Sequence, residues 1–231
     1  MTMMTDTYQI KGLKKIYRQG SVAVNALRGI DLSISSGEFT VVCGPSGSGK
    51  STLLNIMGAL DVPTEGAVTL EGHCFSTLGK NALSKLRRDR IGFVFQAYNL
   101  IPVLTAYENA EMVLELQGVK KKERQARVMA ILKDVGLGEL SHRKPNQLSG
   151  GQQQRVAIAR AIVSSPAVVL ADEPTANVDS KTAKTLLDVM AKLNAEKGIT
   201  FVFSTHDPRV MERARRTISL VDGRIDSDVI H

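Results

Sequence analysis

The fold is decided by one eight-residue stretch, Gly44-Pro45-Ser46-Gly47-Ser48-Gly49-Lys50-Ser51. It follows a strand-like run, Phe39–Cys43, and precedes an apolar run, Thr52–Met57, whose spacing predicts a helix. Strand, glycine-rich loop and helix in this order are typical of a phosphate-binding loop, because glycines let backbone N–H groups converge on phosphate oxygens. A chance glycine-rich turn is the alternative, and the flanking strand and helix disfavour it.

The residues that end this loop indicate a nucleoside triphosphate as the ligand. The helix N-terminus at Lys50 adds partial positive charge. The ammonium group of Lys50 can reach the β- and γ-phosphates, and the hydroxyl of Ser51 can bind Mg²⁺. The sequence therefore predicts a site for a nucleoside triphosphate with its magnesium ion.

Length and composition bound the class of protein. Hydrophobic residues make up 43% of the 231 residues and charged residues 23%, which is ordinary for a globular α/β domain of this size. No apolar run approaches the roughly 20 residues that a membrane span needs. The two cysteines, Cys43 and Cys74, indicate a reducing compartment. We therefore expect a cytoplasmic protein that touches a membrane only through a partner.

The net charge of +7 leaves two interpretations open, a solvated basic face or an anionic partner. Much of the charge lies in residues 85–90 and 120–124, and neither cluster is interleaved with aromatic residues. Aromatic residues are only 4% of the chain, whereas binding of single-stranded nucleic acid relies on aromatic stacking. We expect no nucleic-acid partner.

The N-terminal part predicts a small antiparallel sheet beside the loop. Its strands are Tyr8–Tyr17, Val22–Ala26 and Ile30–Ile34, with a turn at Gln19-Gly20-Ser21 between the first two. Tyr17 could stack on a nucleotide base, although simple packing is the alternative.

Residues 97–160 predict a helical subdomain inserted into the α/β core of a single domain that spans 1–231. Thr105 is a plausible N-cap, and residues 108–117 and 121–135 have helical patterns with no strand among them. Residues 97–109 are also rich in apolar side chains. They predict either a docking surface for a partner or the core of the subdomain itself.

A second glycine-containing segment, Leu148-Ser149-Gly150-Gly151-Gln152, stands before the amphipathic helix predicted at Arg155–Val163. Two glycines and a serine at a helix start can bind an anion. An ordinary helix cap is the alternative.

Polar residues follow two apolar runs that predict buried parallel strands. Asp172 and Glu173 follow the run 167–171, where Asp172 can hold Mg²⁺ and Glu173 can act as a general base toward water. His206 follows the run 199–205 and is placed to contact a γ-phosphate; a structural hydrogen bond is the alternative. Asp179 is expected to cap the next helix.

With these segments in this order, the chain resembles the nucleotide-binding subunit of an ABC transporter, over about residues 8–226. The resemblance implies a P-loop NTPase fold with a mostly parallel central sheet, an N-terminal antiparallel β subdomain and an inserted α-helical subdomain. By position, residues 44–51 with Thr52 match the ATP-binding loop, and Tyr17 the adenine-stacking aromatic. Gln96 matches the residue that senses Mg²⁺ and the membrane partner. Asp172 matches the aspartate that holds magnesium, and Glu173 matches the catalytic glutamate. Asp179 matches the loop that crosses the dimer, and His206 matches the switch histidine.

The resemblance also implies the partners. In this family two cassettes pack head to tail, so that the signature residues 149–152 close on ATP held by the other copy. The chain looks like the lipoprotein-release and macrolide-export branch, whose permeases carry a large extracytoplasmic domain and work at the inner membrane by mechanical movement. Ala176-Asn-Val-Asp179 departs from the glycine and leucine usual in that branch. A non-transport ABC ATPase, acting in DNA repair, on ribosomes or as a division scaffold, is the alternative.

Overall fold

The computed structural model describes residues 6–20 and 22–231. Its strands are β1 Asp6–Gln19, β2 Val22–Ser35, β3 Phe39–Cys43, β4 Glu65–Leu70, β5 His73–Cys74, β6 Ile91–Val94, β7 Val168–Asp172, β8 Phe201–Ser204, β9 Arg216–Val221 and β10 Arg224–Ile230. The α-helices are α1 Lys50–Met57, α2 Lys80–Arg90, α3 Ala106–Leu116, α4 Lys121–Asp134, α5 Gly150–Ile162, α6 Ser180–Lys197 and α7 Pro208–Met211. Short 3₁₀ turns occupy Phe75–Thr77, Gly138–Leu140 and Pro145–Gln147.

Six strands form the central sheet, in the order β10-β9-β3-β8-β7-β6. Neighbours from β9 to β6 are parallel, and β10 runs antiparallel to β9. Strands buried on both faces need apolar side chains throughout, which explains the continuous apolar runs of β7 and β8. The carboxyl ends of β3, β6, β7 and β8 meet at one edge of the sheet. The predicted mostly parallel sheet is confirmed.

Four strands form a second, antiparallel sheet, in the order β2-β1-β4-β5. This confirms the predicted N-terminal β subdomain. The predicted turn before β2 includes Ser21, which lies outside the described residues.

One sequence prediction in this sheet is wrong. Residues 22–26 and 30–34 are not two strands but parts of the single strand β2. Gly29 has a φ of 95°, and the pairing of β2 with β1 changes register between Leu13 and Lys14. The broken alternation in the sequence therefore marks a β-bulge rather than the end of a strand.

Helices α3, α4 and α5 occupy the chain between β6 and β7, where the sequence predicts helices and no strand. Thr105 caps α3: its hydroxyl accepts from the amide of Glu108, whose carboxylate accepts from the amide of Thr105. Helix α5 begins at Gly150, earlier than the predicted start at Arg155, because Ser149 forms a second capping box. The capping residue thus decides where this helix begins.

The central sheet has a hydrophobic core on each face. Helices α3 to α6 contribute to one core, and α1 with the antiparallel sheet contributes to the other. Among the described residues, no helix combines the length and the apolar character needed to cross a bilayer. The sheet is thus packed on both sides, and its carboxyl edge carries polar residues such as Asp172.

Replacing Gly92 by alanine should destabilise the fold by about 2 kcal/mol, because overpacking a tight core contact typically costs ~1–3 kcal/mol. A Cβ atom at Gly92 in β6 would lie 2.3 Å from the carbonyl oxygen of Ala161 in α5. Urea unfolding of the variant measures the loss. Gly138→Ala is the matched control, since Gly138 has no positive φ and a Cβ there meets other atoms only at 3.8 Å or more. Equal stability of the two variants would contradict the close contact between β6 and α5.

Candidate active site

The loop of residues 44–49 joins β3 to α1 at the carboxyl edge of the sheet. Gly44 has a φ of 142°, and a Cβ atom there would lie 2.0 Å from the carbonyl oxygen of Leu220, so only glycine fits. The ammonium group of Lys50 donates to the carbonyls of Gly44 at 2.8 Å and Pro45 at 2.9 Å. Its charge therefore lies across the loop, and a phosphate bound there could replace these two carbonyl contacts.

Tyr17 stands at the same end of α1 and has 41% of its surface exposed. Its hydroxyl donates to a carboxylate oxygen of Asp61 at 2.7 Å, and the ammonium of Lys15 lies 4.8 Å from the ring centroid. Burial and the hydrogen bond to Asp61 raise the pKa of Tyr17, while a hydrogen bond with Thr52 acts in the opposite direction. The ring is thus held beside the first turn of α1 with a face open to solvent.

Asp172 ends β7 beside this loop. Its Oδ1 atom is buried and, among the described residues, has no hydrogen-bond partner; the same holds for the hydroxyl of Ser204 on the adjacent strand β8. Burial raises the pKa of Asp172 and the charge of Glu173 adds to this, whereas the nearby hydroxyls of Ser204 and Ser51 lower it. A half-buried carboxylate with a free, buried oxygen next to a serine hydroxyl fits Mg²⁺, which prefers oxygen ligands.

Glu173 is held in a strained backbone conformation with a φ of 44°. One carboxylate oxygen accepts from the hydroxyl of Thr205 at 2.8 Å, and the other lies 2.7 Å from Nδ1 of His206. The structure therefore brings together the two predicted residues Glu173 and His206 at the ends of β7 and β8. The side chain of His206 remains 80% exposed, so it can meet a ligand from solvent.

Gln96 lies just beyond β6, the strand next to β7, and its side chain is exposed. Its backbone carbonyl accepts from the side-chain amide of Asn177 at 2.9 Å, and the hydroxyl of Tyr98 donates to the carbonyl of Asn177 at 3.1 Å. Two reciprocal contacts thus join the segment after β6 to the segment after β7.

The segment 149–152 lies elsewhere, at the start of α5. Ser149 and Gln152 bond each other's backbone amides, so the cap expected as the alternative is present. Asp179 caps α6 by accepting from the amides of Lys181 and Thr182. Both helix starts line a cavity of about 430 Å³, the signature cavity, whose wall also includes the cations Arg155 and Lys181. No residue of 44–52 lines this cavity, so the described chain presents two separate candidate phosphate sites.

Several residues that shape the site were missed from the sequence. Asp207 accepts from the hydroxyl of Thr175 at 2.8 Å and pairs with Arg209, whose hydrogen bonds lower the pKa of Asp207 to about 2. This contact ties the loop after His206 to the loop after Glu173. The polar ends of the two strands were visible in the sequence, but which side chains would meet across them was not.

A groove of about 730 Å³ lies between α2, β6, α3 and α5. Phe93 and Val113 are among its apolar residues, and Lys85, Arg87 and Arg88 are among its cations. Two residues of the predicted docking segment, Leu100 and Tyr107, pack against the helical core instead. The groove, rather than those two side chains, is the concave apolar surface in this region.

Comparison with known proteins places this arrangement in a family. The family model for ABC transporters matches residues 27–176. The chain is 46% identical to the lipoprotein-releasing system ATP-binding protein LolD of Anaeromyxobacter dehalogenans, over 98% of this chain and 95% of that protein. It is 45% identical to the macrolide export ATP-binding/permease protein MacB of Bdellovibrio bacteriovorus, over 95% of this chain and 33% of that longer protein.

The solved structure of the ATP-binding cassette MJ0796 of Methanocaldococcus jannaschii, a dimer in a post-hydrolysis state bound to ADP and Pi, matches with a TM-score of 0.88 and 46% identity. The match covers 96% of this chain and 98% of that one. The predicted P-loop NTPase fold is confirmed, and the non-transport alternative receives no support. The chain therefore belongs to the ABC transporter family, as an ATP-hydrolysing cassette of the branch that includes LolD and MacB.

Proposed function

We propose that two copies of this chain clamp two ATP molecules between them and so drive a membrane permease. The observation that carries the proposal is the separation of the two candidate phosphate sites. Residues 44–52 form one, and the cavity at Ser149, Gly151 and Gln152 forms the other without sharing a residue. Head-to-tail packing would bring the cavity of one copy, with Arg155 and Lys181, onto the loop of the other. MJ0796 was solved as a dimer, which supports the pairing of two copies here.

In each site, the loop 44–49, Lys50 and the first turn of α1, with Ser51 and Thr52, would bind the phosphates of ATP. Tyr17 would stack on the base. Ser51, Asp172 and Gln96 would hold Mg²⁺, which when bound neutralises charge that develops on the phosphates. The residues of this chain would orient the nucleotide, exclude water and move one proton.

Glu173 would be the general base that takes the proton from the attacking water. His206 lies 2.7 Å from its carboxylate and would shift to the γ-phosphate when ATP is bound. Asp179, with Gly150 and Gly151, would meet the partner copy at the signature cavity. We treat the whole chain as one nucleotide-binding domain, in which residues 97–160 are the helical part.

The groove between α2 and α3 would receive a segment of the permease. Its apolar floor suits a short amphipathic helix, and its rim of Lys85, Arg87 and Arg88 favours a segment with acidic side chains. LolD and MacB belong by name to a lipoprotein-releasing system and to macrolide export. By analogy, the chain would work at the cytoplasmic face of the inner membrane. ATP-driven closure would move the extracytoplasmic part of the permease.

Lys50→Ala should weaken Mg-ATP binding at least about 30-fold, because hydrogen bonds to charged groups contribute ~1.5–3 kcal/mol each. Titration calorimetry measures the dissociation constant. Lys80→Ala is the matched control, since Lys80 also begins a helix but lies at α2, away from the loop. An unchanged affinity in Lys50→Ala would remove Lys50 from the ATP site.

Glu173→Gln should lower the rate of ATP hydrolysis about 10²–10⁴-fold, because the amide cannot accept a proton from water. Affinity for ATP should persist, since the loop and Lys50 are untouched. Gel filtration with Mg-ATP should show a dimer, and without nucleotide a monomer.

Glu196→Gln, on the exposed face of α6, is the control for charge alone. Hydrolysis near the wild-type rate in Glu173→Gln would exclude Glu173 as the base. A folded Glu173→Gln that binds ATP yet stays monomeric would contradict the clamp.

Leu116→Glu should abolish co-purification with the permease, because it puts a charge on an apolar residue of the groove that is 61% exposed. The measurement is pull-down of the tagged chain from detergent-solubilised membranes, with mass spectrometry identifying an integral membrane subunit. Ile230→Glu, at a residue 78% exposed in β10, is the control and should retain the permease. Retention by Leu116→Glu would show that the groove is not the docking site.

A further inference from the structure

Gln154 is a polar side chain with no exposed surface, in the second turn of α5. Its side-chain nitrogen donates to the carbonyl of Pro174 at 2.7 Å and lies 3.5 Å from the carbonyl of Phe95. Both neighbours can only accept, so the nitrogen of the amide must face them. Its oxygen Oε1 has no hydrogen-bond partner among the described residues.

These two carbonyls belong to the segments that matter most for hydrolysis. Pro174 follows Glu173 directly, and Phe95 precedes Gln96 and lines the groove between α2 and α3. A second link, through Asn177, already joins the same two segments. Gln154 adds a third element, α5, whose first residues line the signature cavity.

Burying an amide with an unpaired oxygen costs free energy that an apolar side chain of the same size would avoid. If filling space were the only task, methionine would serve better. The hydrogen bond to Pro174 is therefore the property that distinguishes this residue. It acts next to a backbone that needs support, because Glu173 has a φ of 44° and such a conformation persists only where its surroundings impose it.

We infer that Gln154 is a positioning residue for ATP hydrolysis. By tying α5 to the carbonyl that follows Glu173 and, more weakly, to the segment before Gln96, it fixes where the carboxylate of Glu173 stands. A movement of α5, as when the signature cavity closes on a nucleotide, is then transmitted to Glu173. The inference rests on the ATPase activity of the family and not on the proposed permease, so a test on the isolated chain leaves docking aside.

The test compares Gln154→Met with Gln153→Met. Gln153 is the matched control, because its amide also donates to a backbone carbonyl, that of Leu148 at 3.1 Å, but contacts neither segment. We expect kcat for ATP to fall about tenfold or more in Gln154→Met, since a misplacement of ~1 Å can cost ~10²-fold in rate. KM for ATP should stay within about twofold, and Gln153→Met should match the wild type in both constants.

A folded Gln154→Met with kcat within about twofold of the wild type would overturn the inference. Loss of kcat together with a comparable rise in KM and a lower unfolding midpoint would also overturn it, because that pattern indicates a structural role only. If Gln154→Met does not fold, the inference is tested by hydrogen–deuterium exchange of the wild-type chain with and without a non-hydrolysable ATP analogue. Exchange in residues 95–98, 150–156 and 173–177 should slow together; protection confined to 173–177 would overturn the coupling.

Discussion

The parallel pairing of β7 with β6 and β8 is the constraint on which the rest of the structure depends. β7 is buried along its length, and it carries Asp172 and Glu173 to the carboxyl edge of the sheet. Pairing with β8 sets His206 and Thr205 beside Glu173. Pairing with β6 sets Phe95, the residue before Gln96, beside Asp172. Because register in a sheet is fixed by burial, strand pairing brings these polar groups close together. Hydrogen bonds such as that from Thr205 to Glu173 then hold them in place.

The sequence was most informative where a motif carries its own backbone requirement. The loop at 44–51, the two buried strands β7 and β8 to within two residues at each end, and the cap at Thr105 could all be predicted. Glycine, buried strands and capping boxes each restrict local geometry. The fold class followed from these elements. The roles assigned to Glu173, His206 and Gln96 follow from position in the chain and stay predictions.

Contacts between segments far apart in the chain could not be predicted from one sequence. Nothing in the pattern of Gln154 or Asn177 indicates that they meet the segment after β6, since both look like ordinary helix or loop residues. The bulge in β2 made the sequence prediction wrong for a related reason. A change of register moves the following side chains to the other face of the sheet, so the alternation in the sequence breaks as it would at the end of a strand. Bulges, like long-range hydrogen bonds, depend on the partner strand.

The capping box at the start of α5 orders two residues that line the signature cavity. Ser149 and Gln152 are already engaged with each other's backbone, so neither must be ordered when a phosphate arrives. The first amides of the helix, at Gly150 and Gly151, have no acceptor within the helix and are held in one orientation. In the proposed dimer, the entropy of arranging these donors would be lost during folding rather than during closure. The signature cavity would thus meet the ATP of the other copy with its donors already in place.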